Sequence, residues 1–452
     1  MYILNFLKTN AVMNAWANVG TAEAAEQAEF TLESLVQRAK ADKKDNQSRG
    51  DERSRLVDVQ PDTVVFNSVI QCWATSGDIR AGKKSLRLLE LMKELAGIST
   101  NDNDGVTESK IHFNVHPDII TYNTVLSAWS HCGKKNAALQ AEKIVKELVA
   151  EQPKNQGFDS ETGEKVPVVA NTITFNSVLH AWSKSKLPGA TDRAEKLLEY
   201  MIQSQNSEIK PDVYSFTCVM DAWAKSKEPN KALRTRELLD RLIDMRQQAL
   251  EKRDKRKADA LQPTQIPYNT VLNACAFSAM HTPEQERREA IQIAVETYKG
   301  MSSRASSFRM RGNDRIVSRD TVTYGLMLKS IANLMPKGNA RSRMALQIFR
   351  ECCDDGLVGF LVWNEVRRAV PSKLLDETYR LKRRCGSLEL NDLPKAWKVN
   401  CRERRSNQQR QKRGNDHKKS RGKDNKHKHP SRSESRDNTF IIERSFATGK
   451  DM

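Results

Sequence analysis

The chain has 452 residues, a formal net charge of +18 at pH 7, 29% charged and 38% hydrophobic residues. No apolar run approaches the roughly 18 residues of a membrane helix, so no membrane partner is expected, and the basic excess favours a polyanionic partner. Eight cysteines include no C-x-x-C pair at zinc spacing, so no metal site is expected; they read as core or helix-surface thiols of a reducing compartment.

Met1–Gly20 lacks the charged start and small-residue cleavage site of a signal peptide, and the Arg/Ser-rich amphipathic pattern of a transit peptide. It runs straight into TNAVMNAW at Thr9–Trp16, so the chain begins inside a repeated unit. Met1–Leu7 is apolar and aromatic, unlike the polar outer face of an end cap, and the natural N-terminus is expected to lie upstream. Ala22–Lys40 completes a first hairpin through Ala28, Leu32 and Leu35, and Ala41–Asp58 reads as a charged loop.

Fuller copies follow: PDTVVFNSVIQCW at Pro61–Trp73, PDIITYNTVLSAW at Pro117–Trp129, NTITFNSVLHAW at Asn171–Trp182 and PDVYSFTCVMDAW at Pro211–Trp223. Weaker copies start at Thr264 and Asp320. In the unit from Pro117, Tyr122, Val125, Leu126 and Trp129 fall at i, i+3, i+4 and i+7, one stripe of a helix. Ala141, Ile144, Val145 and Leu148 repeat the spacing on a second helix, and Asp118 is placed to cap the first. A lone hairpin cannot bury such faces, but stacked hairpins can. The expected fold is all-α, an α-solenoid of about seven stacked hairpins over residues 1–356. Long inter-repeat loops are expected around 96–116, 150–169, 246–263 and 300–319. The charged stretch Arg246–Lys257 is either a solvated helix end or a nucleic-acid contact. Residues 357–400 read as a helical cap, through Phe360–Val370, Ser372–Arg384 and Leu393–Trp397. Residues 401–452 hold sixteen Lys/Arg against seven Asp/Glu, a net +9. Their composition predicts a disordered basic tail suited to phosphate backbones. His417, His427 and His429 are incidental members of that tract.

Three columns recur once per hairpin. The first follows the aromatic: Asn10, Asn67, Asn123, Asn176, Thr217, Asn269 and Gly325. Asparagine is a mediocre mid-helix residue, and this position lies off the apolar stripe and past the cap. It serves either a base edge or a ladder of bonds between neighbouring hairpins. The second column precedes each helix: Asp62, Asp118, Asn171, Asp212, Thr264 and Asp320. Capping explains it, and a second role can coexist with capping. The third is Val64, Ile120, Ile173, Tyr214, Ile266 and Val322, apolar or aromatic yet off the core stripe. No Gly-rich phosphate loop, catalytic triad or metal motif is present in the sequence.

The unit resembles the pentatricopeptide repeat, on the signature P-D-x-x-T/S-Y/F-N-T/S-V-L/I followed by A-x-x-L-L-x-x-M, over roughly residues 1–360. The resemblance implies a single-stranded RNA-binding solenoid without catalytic residues, cofactor or small-molecule substrate. Such proteins act in mitochondrial or plastid RNA processing, stability or translation, alongside other RNA-processing proteins. It also implies that each base is read by a first-column residue with the second-column residue of the next repeat, while third-column residues sandwich the bases. The pairs are Asn10/Asp62, Asn67/Asp118, Asn123/Asn171, Asn176/Asp212, Thr217/Thr264 and Asn269/Asp320. They imply a strand U-U-C-U-purine-U. One departure stands out. Family repeats run about 35 residues, whereas Asn67, Asn123 and Asn176 lie 56 and 53 apart. Such surplus is expected to widen the pitch. The alternative function is a protein-binding scaffold of tetratricopeptide type, although its W-x-x-L-G-x-x-Y spacing does not occur.

Overall fold

The structure is a computed structural model that describes residues 2–49, 61–97, 113, 115–151, 156–158, 165–278, 283–302, 317–379 and 389–401. In chain order the helices are α1 (Tyr2–Val19), α2 (Ala22–Arg49), α3 (Thr63–Ser76), α4 (Ala81–Leu95), α5 (Ile119–His131), α6 (Ala137–Glu151), α7 (Thr172–Lys184) and α8 (Ala190–Gln203). They continue as α9 (Val213–Lys225), α10 (Lys231–Glu251), α11 (Lys255–Ala260), α12 (Gln265–Ala276), α13 (Glu284–Lys299), α14 (Thr321–Leu334), α15 (Asn339–Asp354), α16 (Phe360–Ala369) and α17 (Ser372–Tyr379). Among the described residues these make seven hairpins plus a C-terminal segment, an all-α helical-repeat solenoid.

The first helices α3, α5, α7, α9, α12 and α14 start where a short polar side chain satisfies a free N–H group. Asp118 Oδ1 accepts from Thr121 N–H at 2.7 Å, and the Asp118 N–H donates to Thr121 Oγ1 at 3.1 Å. The same capping box closes on Asn171/Thr174, Asp212/Ser215 and Asp320/Thr323. Asp62 accepts from Val65 N–H at 2.8 Å. Hairpins turn where the chain takes positive φ, at Gly77 (67°) and Gly133 (68°), which glycine adopts without a Cβ clash.

First helices stack on one another in the series α1, α3, α5, α7, α9, α12, α14 and α16. Each second helix packs on its own first helix and on the next one, as α4 does on α3 and α5. The stripes meet between them as one continuous core running from Met13 to Leu393, with Phe66, Trp73, Trp182 and Phe216 fully enclosed.

Some elements differ from expectation. The helix α2 runs to Arg49, through the stretch expected as loop, because Ala41–Arg49 contains no glycine or proline to stop it. The helix α10 runs to Glu251 and α11 follows, so most of 246–263 is helical up to Pro263. The 150–169 connection carries a two-stranded antiparallel hairpin, β1 (Gln156–Phe158) with β2 (Lys165–Pro167).

Beyond α15, α16 stacks on α14 as one first helix stacks on another. Trp363 takes the place of the aromatic and Asn364 that of the first column. Residues 389–401 then close over α15. The Phe349 ring meets Trp397 edge-on at 5.8 Å, Val358 N–H donates to Trp397 O at 2.9 Å, and Asn400 N–H donates to Gly356 O at 2.9 Å. Met1–Cys401 form one unit; residues 402–452, including the three tail histidines, lie outside the described residues. Among the described residues no helix is long and apolar enough to cross a membrane, and no group of His, Cys, Asp or Glu is arranged to hold a metal ion.

Candidate nucleic-acid interface

The three columns come together along one edge, and the return loops place them there. Thr63 Oγ1, at the start of α3, donates to His116 O at 2.9 Å and accepts from His116 N–H at 3.2 Å. That bond pins the chain two residues before Asp118. At the start of α7, Thr172 N–H donates to Glu208 O at 2.8 Å and Thr172 Oγ1 to Lys210 O at 2.7 Å, just before Asp212. At these two steps the returning chain is thus held against the preceding first helix, although the loops before it differ in length.

Asn67 Nδ2 donates to Asp118 Oδ1, Asn176 Nδ2 to Asp212 Oδ1, and Asn269 Nδ2 to Asp320 Oδ1, each at 3.2 Å. The sequence separations are 51, 36 and 51 residues, yet the step is the same. The longer separations therefore do not widen the pitch at these steps.

The asparagine Oδ1 is engaged as well. It accepts from Thr121 Oγ1 at 2.7 Å (Asn67), Ser215 Oγ at 2.6 Å (Asn176) and Thr323 Oγ1 at 2.7 Å (Asn269). The first column is thus a ladder between neighbouring hairpins. At the third step the pattern changes. Thr174 Oγ1 faces both Asn123 Oδ1 at 2.8 Å and Asn171 Oδ1 at 3.0 Å, and no bond joins Asn123 directly to Asn171. Thr217 Oγ1 donates back to Val213 O of its own helix at 2.6 Å, and Thr264 accepts only from Ile266 N–H at 3.4 Å, so the fifth step lacks the ladder bond. Asn10 lies in α1 outside the residues whose side chains are described. Burial pushes the Asp62 carboxyl above the usual carboxylate range.

Four of the six third-column side chains stand out from the core. Val64, Ile120, Ile173 and Val322 are 47%, 59%, 61% and 39% exposed. Ile266 is half-buried, as is Tyr214, whose ring lies 6.3 Å from that of His180. Exposed aliphatic side chains recurring beside paired amides and carboxylates mark this edge as a candidate binding surface.

A second row escaped the sequence analysis: His131, His180, Lys184, Asp221 and Lys225. Helical spacing could have found it, because these residues lie four and eight positions beyond Asn123, Asn176 and Thr217, on the same face. The rings of His131 and His180 lie 5.0 Å apart. His131 Nδ1 is 2.8 Å from Ser127 O, and Ser130 Oγ lies 3.0 Å from His131 Nδ1 and 3.4 Å from His180 Nδ1. Lys225 donates to Asp221 Oδ2 at 2.5 Å. Burial holds the imidazoles neutral, lowering His131 and pushing His180 down to about 2, with Lys184 beside both. Burial lowers Lys184 too.

Stacked hairpins with one polar edge repeated in register define a helical-repeat protein. Over 218 residues, 48% of its length, the chain is 26% identical to a chloroplastic pentatricopeptide repeat-containing protein of Arabidopsis thaliana, and it spans 21% of that protein. No protein-family profile matches the chain, and no solved structure does.

Proposed function

We propose that the edge binds single-stranded RNA, one base per hairpin, and that the protein acts as a binding factor in organellar RNA processing, stability or translation. The observation that carries this is one edge on which exposed aliphatic side chains, at Val64, Ile120, Ile173 and Val322, stand beside amide–carboxylate pairs of the same geometry at Asn67/Asp118, Asn176/Asp212 and Asn269/Asp320. Unpaired bases need both an apolar face and a polar edge. The similarity to a chloroplastic pentatricopeptide repeat-containing protein supports the reading and its compartment.

The hydrogen-bond inventory supports a code. At Asn67/Asp118, Asp118 Oδ1 is occupied by Thr121 N–H, Thr121 Oγ1 and Asn67 Nδ2. Asp118 Oδ2 and one Asn67 amide hydrogen remain to face a base, an acceptor beside a donor. Uracil offers the complement, N3–H beside a carbonyl. At Asn123/Asn171, Asn171 Oδ1 is taken by Thr174, so its amide presents a donor. A donor suits the unprotonated N3 of cytosine. Asn269/Asp320 repeats the uracil pattern. At Asn176/Asp212 the Asn176 amide also reaches Asp212 Oδ2 at 3.3 Å, so the same carboxylate is shared with the base. Asn10/Asp62 takes uracil by the same residue types, and Thr217/Thr264 corresponds to the purine of U-U-C-U-purine-U.

The test is Asn123→Thr with Asn171→Asp, titrated against oligonucleotides varied at the third base. A preference moving from cytosine toward guanine supports base reading. Equal weakening for all four bases would return these residues to folding alone. Crosslinking in cells, with sequencing of the bound RNA, would identify the transcript.

A further inference from the structure

The seventh step, between α14 and α16, is built differently from those before it. Its first-column residue is Gly325. Its second-column residue, at the N-cap of α16, is Gly359, which makes no side-chain cap. Neither glycine has positive φ, so turn geometry does not account for them. Space does. A Cβ on Gly325 would lie 2.5 Å from both Cγ and Cδ2 of Leu361, and one on Gly359 would lie 2.8 Å from Thr321 Cγ2 and 3.0 Å from Cys401 Sγ. Such separations are well inside carbon contact distance. Leu361 holds the third-column place in α16. Where Ile120 and Ile173 stand out into solvent, Leu361 is half-buried and folded into the volume that an asparagine would fill.

We infer that the Gly325–Gly359–Leu361 step is a blank that ends base reading, so that the nucleotide following the Asn269/Asp320 step is bound without regard to its identity. Every earlier step brings at least one side-chain donor or acceptor to the edge. Here both polar positions are reduced to hydrogen, and the space beside them is taken by Leu361, the Thr321 methyl and the Cys401 thiol. A base edge placed there meets no amide or carboxylate, the groups offered at the Asn/Asp and Asn/Asn steps. The α16 helix still extends the stacked surface, so the blank lies inside the array. The inference rests on the proposed base-reading function and deepens it by fixing where the recognised sequence stops.

The experiment uses the full chain and seven-nucleotide RNAs U-U-C-U-A-U-N, with Kd measured by fluorescence anisotropy. One set varies the seventh base and a second set varies the third. Expected are four Kd values within about twofold at the seventh base, and a spread of about tenfold at the third, the scale of a good base contact. A tenfold spread at both positions overturns the blank and leaves base reading intact. No spread at the third base overturns base reading itself, and the blank with it. The double variant Gly325→Asn, Leu361→Ala opens the space. It should create a spread of about threefold or more at the seventh base. An unchanged seventh-base profile, with the third-base spread retained, overturns the assignment of the blank to these residues.

Discussion

Asn176 is buried, 7% exposed, and its amide is bonded on both sides, to Asp212 and from Ser215. Asn176→Ala removes two bonds between neighbouring hairpins and leaves the Asp212 carboxylate short of a donor. Each bond contributes about 1 kcal/mol net, and the better helix propensity of alanine returns about 0.7 kcal/mol. A loss of about 1 kcal/mol in urea unfolding is expected. Ile120 is the contrasting case. At 59% exposed it contributes little to folding, so Ile120→Ala should change stability by less than about 0.5 kcal/mol. If it covers a base, RNA binding should weaken about fivefold, roughly 1 kcal/mol. Anisotropy and urea titrations on the same variant separate the two effects. The histidine row makes a third prediction. His180 is held neutral in the fold, its pKa pushed down to about 2 by burial and by Lys184, His131 and Lys225. In the unfolded chain it titrates near 6.5. Between those values the unfolded state takes up a proton that the folded state refuses. The stability is therefore complete above about pH 6.5 and is lost as pH falls, by up to about 1.4 kcal/mol per unit. His131 adds in the same direction. The urea midpoint should drop from pH 7 to pH 5, and His180→Gln should flatten that drop.

At the scale of the element, the N-cap decides both where a first helix starts and what it shows to the next hairpin. Asp118→Asn keeps a capping side chain of equal quality but replaces the outward acceptor by a donor. Its melting behaviour should match the parent, while preference at the second base moves from uracil toward cytosine in an oligonucleotide panel. Asp118→Ala should lose about 1 kcal/mol of stability as well as the preference. These caps were legible in the sequence because Asp and Asn before an apolar stripe have one dominant local use. So were the stripes: Tyr122, Val125, Leu126 and Trp129 are buried as their spacing requires. The ends of α2 and α10 were less legible, since a charged run such as Arg246–Lys257 has the same composition in a helix as in a loop. The role of Asn67 could not be settled by spacing, because a ladder and a base contact ask for the same amide. The helix at Phe360–Val370 was legible, but its place in the stack of first helices was not, because Phe360–Ala369 lacks the Pro-Asp start, although Trp363-Asn364 kept the aromatic-asparagine pair. Leu361 gave no signal at all: an apolar third-column residue looks the same in sequence whether it faces solvent or fills a neighbour's missing side chain.

At the scale of the whole chain, charge is divided unevenly. The +9 of residues 401–452 is half of the total +18. Deleting 402–452 should flatten the slope of log K against log salt, by about 0.7 for each phosphate of the single strand that the tail neutralises, and leave base preference unchanged. An unaltered slope would place the tail away from the nucleic acid. Within 1–401 each hairpin touches its neighbours in the stack, so under the proposed base reading the recognised sequence is a list of local pairs set by local residues. The double duty of Asp118 and its counterparts then bounds how such a list changes over generations. Only Asp, Asn, Ser, Thr and Gly begin a helix well, so natural variation at these positions draws on a handful of letters. Aspartate and asparagine codons differ by one nucleotide. Under the proposed base reading, one point mutation retargets a single step from uracil to cytosine while the hairpin folds as before, and the array follows a drifting RNA one base at a time.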